Sequence, residues 1–136
     1  MSTLLSLGDT VKQLALLMKE NQVKMVFKNE APWHLLFYRW KQEAELQIRP
    51  PFLDKLRFDS DGHYPRCREL SEFLHGLHTT CSARVANPSY EEIILQPQVT
   101  RLWKKAQTDL DEHARQFLEQ GLAIAKEEFP AHQANA

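Results

Sequence analysis

Residues 97–129 read PQVTRLWKKAQTDLDEHARQFLEQGLAIAKEEF. Apolar side chains recur every three or four positions along this stretch, at Val99, Leu102, Trp103, Ala106, Leu110, Ala114, Phe117, Leu118, Leu122 and Ala125. That spacing marks one face of a helix. Pro97 suits its start, because proline's fixed φ fits a first turn and no N–H is needed there. An unbroken helix would run about 45 Å at ~1.5 Å per residue. A helix that long outgrows its own domain, and its apolar stripe would pack on a second copy, giving a homodimer through residues 97–128. Thr108 and Asp109 are also good cap residues, and Gly121 can bend a helix. Two shorter helices folding back on the chain's own core are the other reading.

Upstream, Asp9 can cap a helix whose face is Val11, Leu14, Ala15 and Met18, widened by Leu17 and ended by Asn21. Residues 23–28 alternate as a strand would, but are too few to decide. Asn29 and Pro32 introduce a second helix with Trp33, Leu36, Phe37 and Trp40 on one side. Such an aromatic stripe is expected in the core, with Tyr38 at the surface. Pro50-Pro51 cannot continue this helix, which should end near Leu46. Leu56 and Phe58 suit a short strand, and Asp59–Gly62 a turn. Pro65 opens a third helix, 65–78, with Leu70, Phe73, Leu74 and Leu77 buried. Cys81–Ala86 and Tyr90–Leu95 flank the turn Asn87-Pro88-Ser89 and read as a β-hairpin.

The expected class is therefore mainly α with a small β-hairpin (α+β), as a single domain over 1–136. Its core would span about 9–96, its C-terminal helical segment about 97–129, and a tail 130–136. The order helix, helix, strand-and-turn (Leu56–Gly62), helix (Pro65–His78), hairpin (Cys81–Leu95), long helix is similar to a winged-helix domain with a C-terminal dimerisation helix. The resemblance implies a small regulatory protein that binds DNA as a dimer, with 65–78 as recognition helix and Asn87-Pro88-Ser89 as wing.

Charge does not favour that function. The formal net charge is −1, which offers no generic attraction to nucleic acid or to an anionic membrane. The end of the chain is acidic, with Asp109, Asp111, Glu112, Glu119, Glu127 and Glu128 against Arg115 and Lys126. The nucleic-acid-binding candidates are Arg66, Arg68, Arg84, Arg101, Lys104 and Lys105. Glu69, Glu72, Glu91 and Glu92 are interleaved with them, which leaves a thin footprint for phosphate binding. A protein–protein interaction module without DNA binding is the competing reading.

Cys67, His75, His78 and Cys81 include the right ligand types for zinc, and the first three share one side of a helix. Their spacing, however, matches no established zinc pattern. Asp59-Ser-Asp61-Gly62 opens like a calcium loop, but the twelfth position is Leu70 and not glutamate. No nucleophile elbow, phosphate loop or dinucleotide fingerprint is present. A metal- or thiol-dependent enzyme is thus a distant third reading, and no cofactor is expected. Two cysteines, no charged leader and no apolar run of membrane length fit a cytoplasmic protein.

Overall fold

The computed structural model describes residues 5–23, 30–60, 62–79, 84–85, 93–94 and 97–133. Six helices account for 71% of them. Helix α1 spans Leu7–Glu20, α2 Ala31–Glu43, α3 Pro51–Lys55, α4 Arg68–Thr79, α5 Pro97–Gln107 and α6 Glu112–Gln133. The class is all-α, which overturns the α+β expectation. Among the described residues, extended pairing consists of two rungs of a two-stranded ladder, Arg84 opposite Ile94 and Val85 opposite Ile93. There is one further isolated bridge, Asp59 with Arg66. The remainder of the expected hairpin, with its Asn87-Pro88-Ser89 tip, lies outside the described residues, as does the undecided stretch 23–28 apart from Val23.

Helix boundaries follow caps rather than the first apolar residue. Ser6, not Asp9, caps α1: its hydroxyl accepts from the Asp9 N–H at 3.1 Å, leaving Asp9 as a first-turn acid that complements the helix dipole. The other end of α1 closes by a Schellman motif. The Val23 N–H donates to the Met18 carbonyl at 2.8 Å and the Gln22 N–H to that of Lys19 at 3.2 Å. The motif needs a left-handed residue, and Gln22 supplies it at φ 60°. Gln22→Gly should therefore stabilise the fold by roughly 0.5–1 kcal/mol, the left-handed penalty less glycine's extra unfolded-state freedom. A higher urea midpoint is the expected reading.

Between α2 and α4 the chain departs from expectation. Pro51 opens the short helix α3, and Leu56 ends it as a buried cap residue instead of starting a strand. Asp59 and Arg66 then exchange both backbone hydrogen bonds, at 2.8 and 2.9 Å. That bridge holds Pro65 and Arg66 extended, so α4 starts at Arg68 and not at Pro65.

The 97–129 stretch is two helices. Three successive i→i+3 bonds, from the amides of Thr108, Asp109 and Leu110 to the carbonyls of Lys105, Ala106 and Gln107, tighten the end of α5. Asp111, rather than Thr108 or Asp109, caps α6 by accepting from the Ala114 N–H at 2.8 Å. Helix α6 then folds back against α2 and α1. Trp40 stacks on Phe117, with ring centroids 4.2 Å apart, and Trp33 meets Phe129 edge-on at 5.0 Å. Later positions on α2 thus meet earlier positions on α6, so the two helices are antiparallel. Phe117, Leu118, Ala125 and Phe129 are buried within this chain. The stripe expected to join a second copy is used internally.

Helix α6 continues unbroken through Gly121. The Trp40 indole lies against it, and a Cβ there would meet three ring atoms at under 3.0 Å. The stripe Trp33, Leu36, Phe37 and Trp40 is core as expected. Tyr38 is half-buried, edge-on to Phe58 at 5.4 Å. Among the described residues, no helix is long and apolar enough to cross a membrane.

Candidate functional site

The six basic candidates do not form one face. Arg68 is exposed at the start of α4 and bonds Glu72 at 3.1 Å. Arg66 is exposed beside it, its backbone bridged to Asp59. The side chain of Arg84 lies outside the described residues. Arg101, Lys104 and Lys105 stand on α5, and Lys104 pairs with Glu20 of α1. Helix α4 approaches α1 at its first turn, where Phe73 covers Gly8. Helix α5 lies farther along α1: the Gln13 amide donates to the Trp103 carbonyl at 2.9 Å and the Lys19 ammonium to the Thr100 hydroxyl at 3.2 Å. Gly8 and Lys19 are roughly 16 Å apart along the helix, so α4 and α5 meet α1 at different points.

The candidate metal ligands do not assemble among the described residues. Cys67 is fully buried, and its thiol donates to Glu69 at 3.2 Å. Burial pushes that thiol's pKa up, the reverse of what a reactive cysteine needs. His75 is largely exposed and reaches Glu30 at 3.2 Å. The side chains of His78 and Cys81 lie outside the described residues, as does Asp61 of the calcium-like turn.

Sequence reasoning missed a buried polar cluster between α2 and α4. His34 and Ser71 are both buried, with Glu30 half-exposed above them. His34 Nε2 lies 3.1 Å from Glu30 Oε1 and 3.1 Å from Ser71 Oγ, and Ser71 Oγ donates to Glu30 Oε1 at 2.8 Å. His34 Nδ1 accepts from the Cys67 backbone N–H at 3.0 Å. The i,i+4 spacing of Glu30 and His34 was visible in the sequence. Ser71, 37 residues farther on, was not.

An acid, a histidine and a hydroxyl suggest a proton relay, but the geometry gives a clamp. A relay needs the serine on one ring nitrogen and the acid on the other. Here both sit on Nε2, and a backbone N–H occupies Nδ1. Nδ1 must therefore be the bare nitrogen, and Nε2 carries the proton. His34 cannot take the Ser71 proton, which already points at Glu30. Burial lowers the His34 pKa against the opposing pull of Glu30, so the ring stays neutral. The cluster satisfies the first amide of the α4 cap and ties that helix to α2.

Among the described residues, one chemically open surface is the outer face of α5. Trp103 anchors the inner side, while Gln98, Arg101, Leu102 and Lys105 are exposed. The helix contains no acidic residue. Among the described residues neither Arg101 nor Lys105 has an acidic partner, and Leu102 is 66% exposed beside them. Comparison of the chain with protein-family models, with curated proteins and with solved structures finds no match in any of the three.

Proposed function

We propose that the chain is a small all-α protein-interaction module that docks an acidic segment of another protein on the outer face of α5. The carrying observation is the pair Arg101 and Lys105, one helical turn apart with no acid on the helix, flanking exposed Leu102. Like charges at i,i+4 cost an isolated helix about 0.2–0.5 kcal/mol, and an acidic partner converts that repulsion into attraction. Cationic groups around an apolar side chain steer encounter and then bury the leucine. Duplex DNA asks for several phosphate contacts at once. Arg68 and Lys104 already face carboxylates, and Arg66 and Arg68 stand before and at the start of α4 rather than on α5. The clamp geometry of His34 favours binding over catalysis.

The test is fluorescence anisotropy with a labelled amphipathic Glu/Leu peptide and, separately, a mixed-sequence DNA duplex, at 50 and 200 mM salt. The peptide is expected to bind, to weaken with salt, and to lose at least about tenfold in affinity, some 1.4 kcal/mol, in Arg101→Glu plus Lys105→Glu. Arg66→Ala plus Arg68→Ala should leave it unchanged. Duplex binding that the α5 variant abolishes would transfer the face to nucleic acid. Binding of neither probe would overturn the proposal.

A further inference from the structure

A groove of about 250 Å³ runs between α2 and α6, lined by Arg39, Trp40, Glu43, Gln120, Ile124 and Glu127 together with small alanines. Two buried polar atoms without any protein partner belong to residues of this lining, the Trp40 indole Nε1 and the Gln120 carbonyl Oε1. Trp40 is fully buried, its ring held by Phe117 and Gly121. A buried polar group left unbonded costs about 1–3 kcal/mol, and here a donor and an acceptor belong to two residues that line one groove. The rim adds a charge preference. The Arg39 guanidinium is shared by Glu43 at 2.9 Å, Glu127 at 2.7 Å and Glu128 at 3.0 Å, so three carboxylates surround one cation.

We propose that this groove binds a small amide-bearing molecule, neutral or cationic. The ligand carbonyl accepts from Trp40 Nε1, its N–H donates to Gln120 Oε1, and its apolar body lies on Ile124 and the alanines. Both atoms are closed off from solvent as the groove stands, so binding requires the side chains over them to turn aside, and the half-buried Gln120 has room to do so. Matching both orphan groups gives selectivity, because a site built for hydrogen bonds rejects ligands that leave them unmade. The negative rim disfavours anions.

Benzamide is the probe, titrated into ¹⁵N-labelled protein while the three tryptophan indole N–H signals are followed, with Trp40 assigned by its loss in Trp40→Phe. Saturable movement of the Trp40 signal is expected, with Trp33 and Trp103 unmoved. Gln120→Met, which keeps length but removes the acceptor, should weaken benzamide at least fivefold. Benzoate, the anionic isostere, should bind the unaltered protein at least fivefold more weakly than benzamide. A Trp40 signal that stays still, equal movement of all three tryptophans, or equal binding of benzoate would each overturn the proposal. The benzoate arm needs no variant.

Discussion

Gly121→Ala is expected to destabilise the protein by about 3 kcal/mol or more, although alanine is the better helix former. In an open helix position the same change gains ~1 kcal/mol. At Gly121 the new methyl would land under 3.0 Å from Cζ2, Cη2 and Cε2 of Trp40. That ring is fully buried and stacked on Phe117, which Phe52 flanks on another side. Overpacking of this kind costs about 1–3 kcal/mol and sometimes more, with loss of the aromatic stack, worth ~0.5–1.5 kcal/mol, on top. Gly76 in α4 is the internal control, since a Cβ there meets nothing within 4 Å. Gly76→Ala should stabilise by roughly 0.5–1 kcal/mol. Urea midpoints of the two variants should thus move in opposite directions. Midpoints that both rise would mean Trp40 does not rest on Gly121. Replacing Trp40 by leucine should recover part of the Gly121→Ala loss, because neighbouring substitutions that share one clash are not additive.

Removing the His34 ring should cost a comparable amount and should change the response to acid. His34→Leu orphans the Cys67 N–H and takes a partner from both Glu30 and Ser71. One buried unsatisfied group costs about 1–3 kcal/mol, so loss of a shared network is expected to exceed ~3 kcal/mol. The pH dependence follows from the same geometry. Burial lowers the His34 pKa below its ordinary 6.5, and a proton on Nδ1 would also face the Cys67 N–H donor. In the unfolded chain neither restraint acts. As pH falls through 6.5, protons bind the unfolded chain first and stability is lost.

Glu30 acts in the same direction at lower pH. Burial opposes its ionised form, but the hydrogen bonds from His34 and Ser71, with the nearby His75, outweigh it and leave the pKa lowered. Its contribution is full above the ordinary carboxylate range and is lost below it. Urea midpoints should be level from pH 8 to about 7, fall below about 6.5, and fall further below about 4.5. His34→Gln has no ring to titrate and should flatten the first of these falls while keeping the second. An unchanged slope between pH 6.5 and 5 in that variant would remove His34 as its source.

Local signals were enough to place most helices in the sequence. The apolar spacing of Val11, Leu14, Ala15 and Met18, and of Trp33, Leu36, Phe37 and Trp40, marks faces that are buried in the fold. Helix ends were less legible, because a cap is a hydrogen bond and several residues near each end can make it. Ser6 and Asp111 do so where Asp9, Thr108 and Asp109 were equally eligible. The α+β expectation gave way to an all-α class because helices make up 71% of the described residues, where the strand-forming Ile93 and Ile94 pair over two rungs.

Periodicity along one element is encoded within that element, so the phase of most helix faces was legible in the sequence; on α5 it was not, since Leu102 and Ala106 of the expected stripe are exposed and only Trp103 is fully buried. The tertiary structure alone decided that α6 turns back onto α2, burying its stripe on Trp33 and Trp40 rather than on a second copy. It also decided that Gly121 makes room for an indole, and that Ser71 meets His34 and Glu30. The candidate sites depend on such decisions: the α2–α6 groove exists only because those helices lie antiparallel, and the α5 face is open only because Trp103 turns inward against α1. Each joins residues tens of positions apart, and such contacts are set by how packed faces meet and not by any pattern within one stretch of chain.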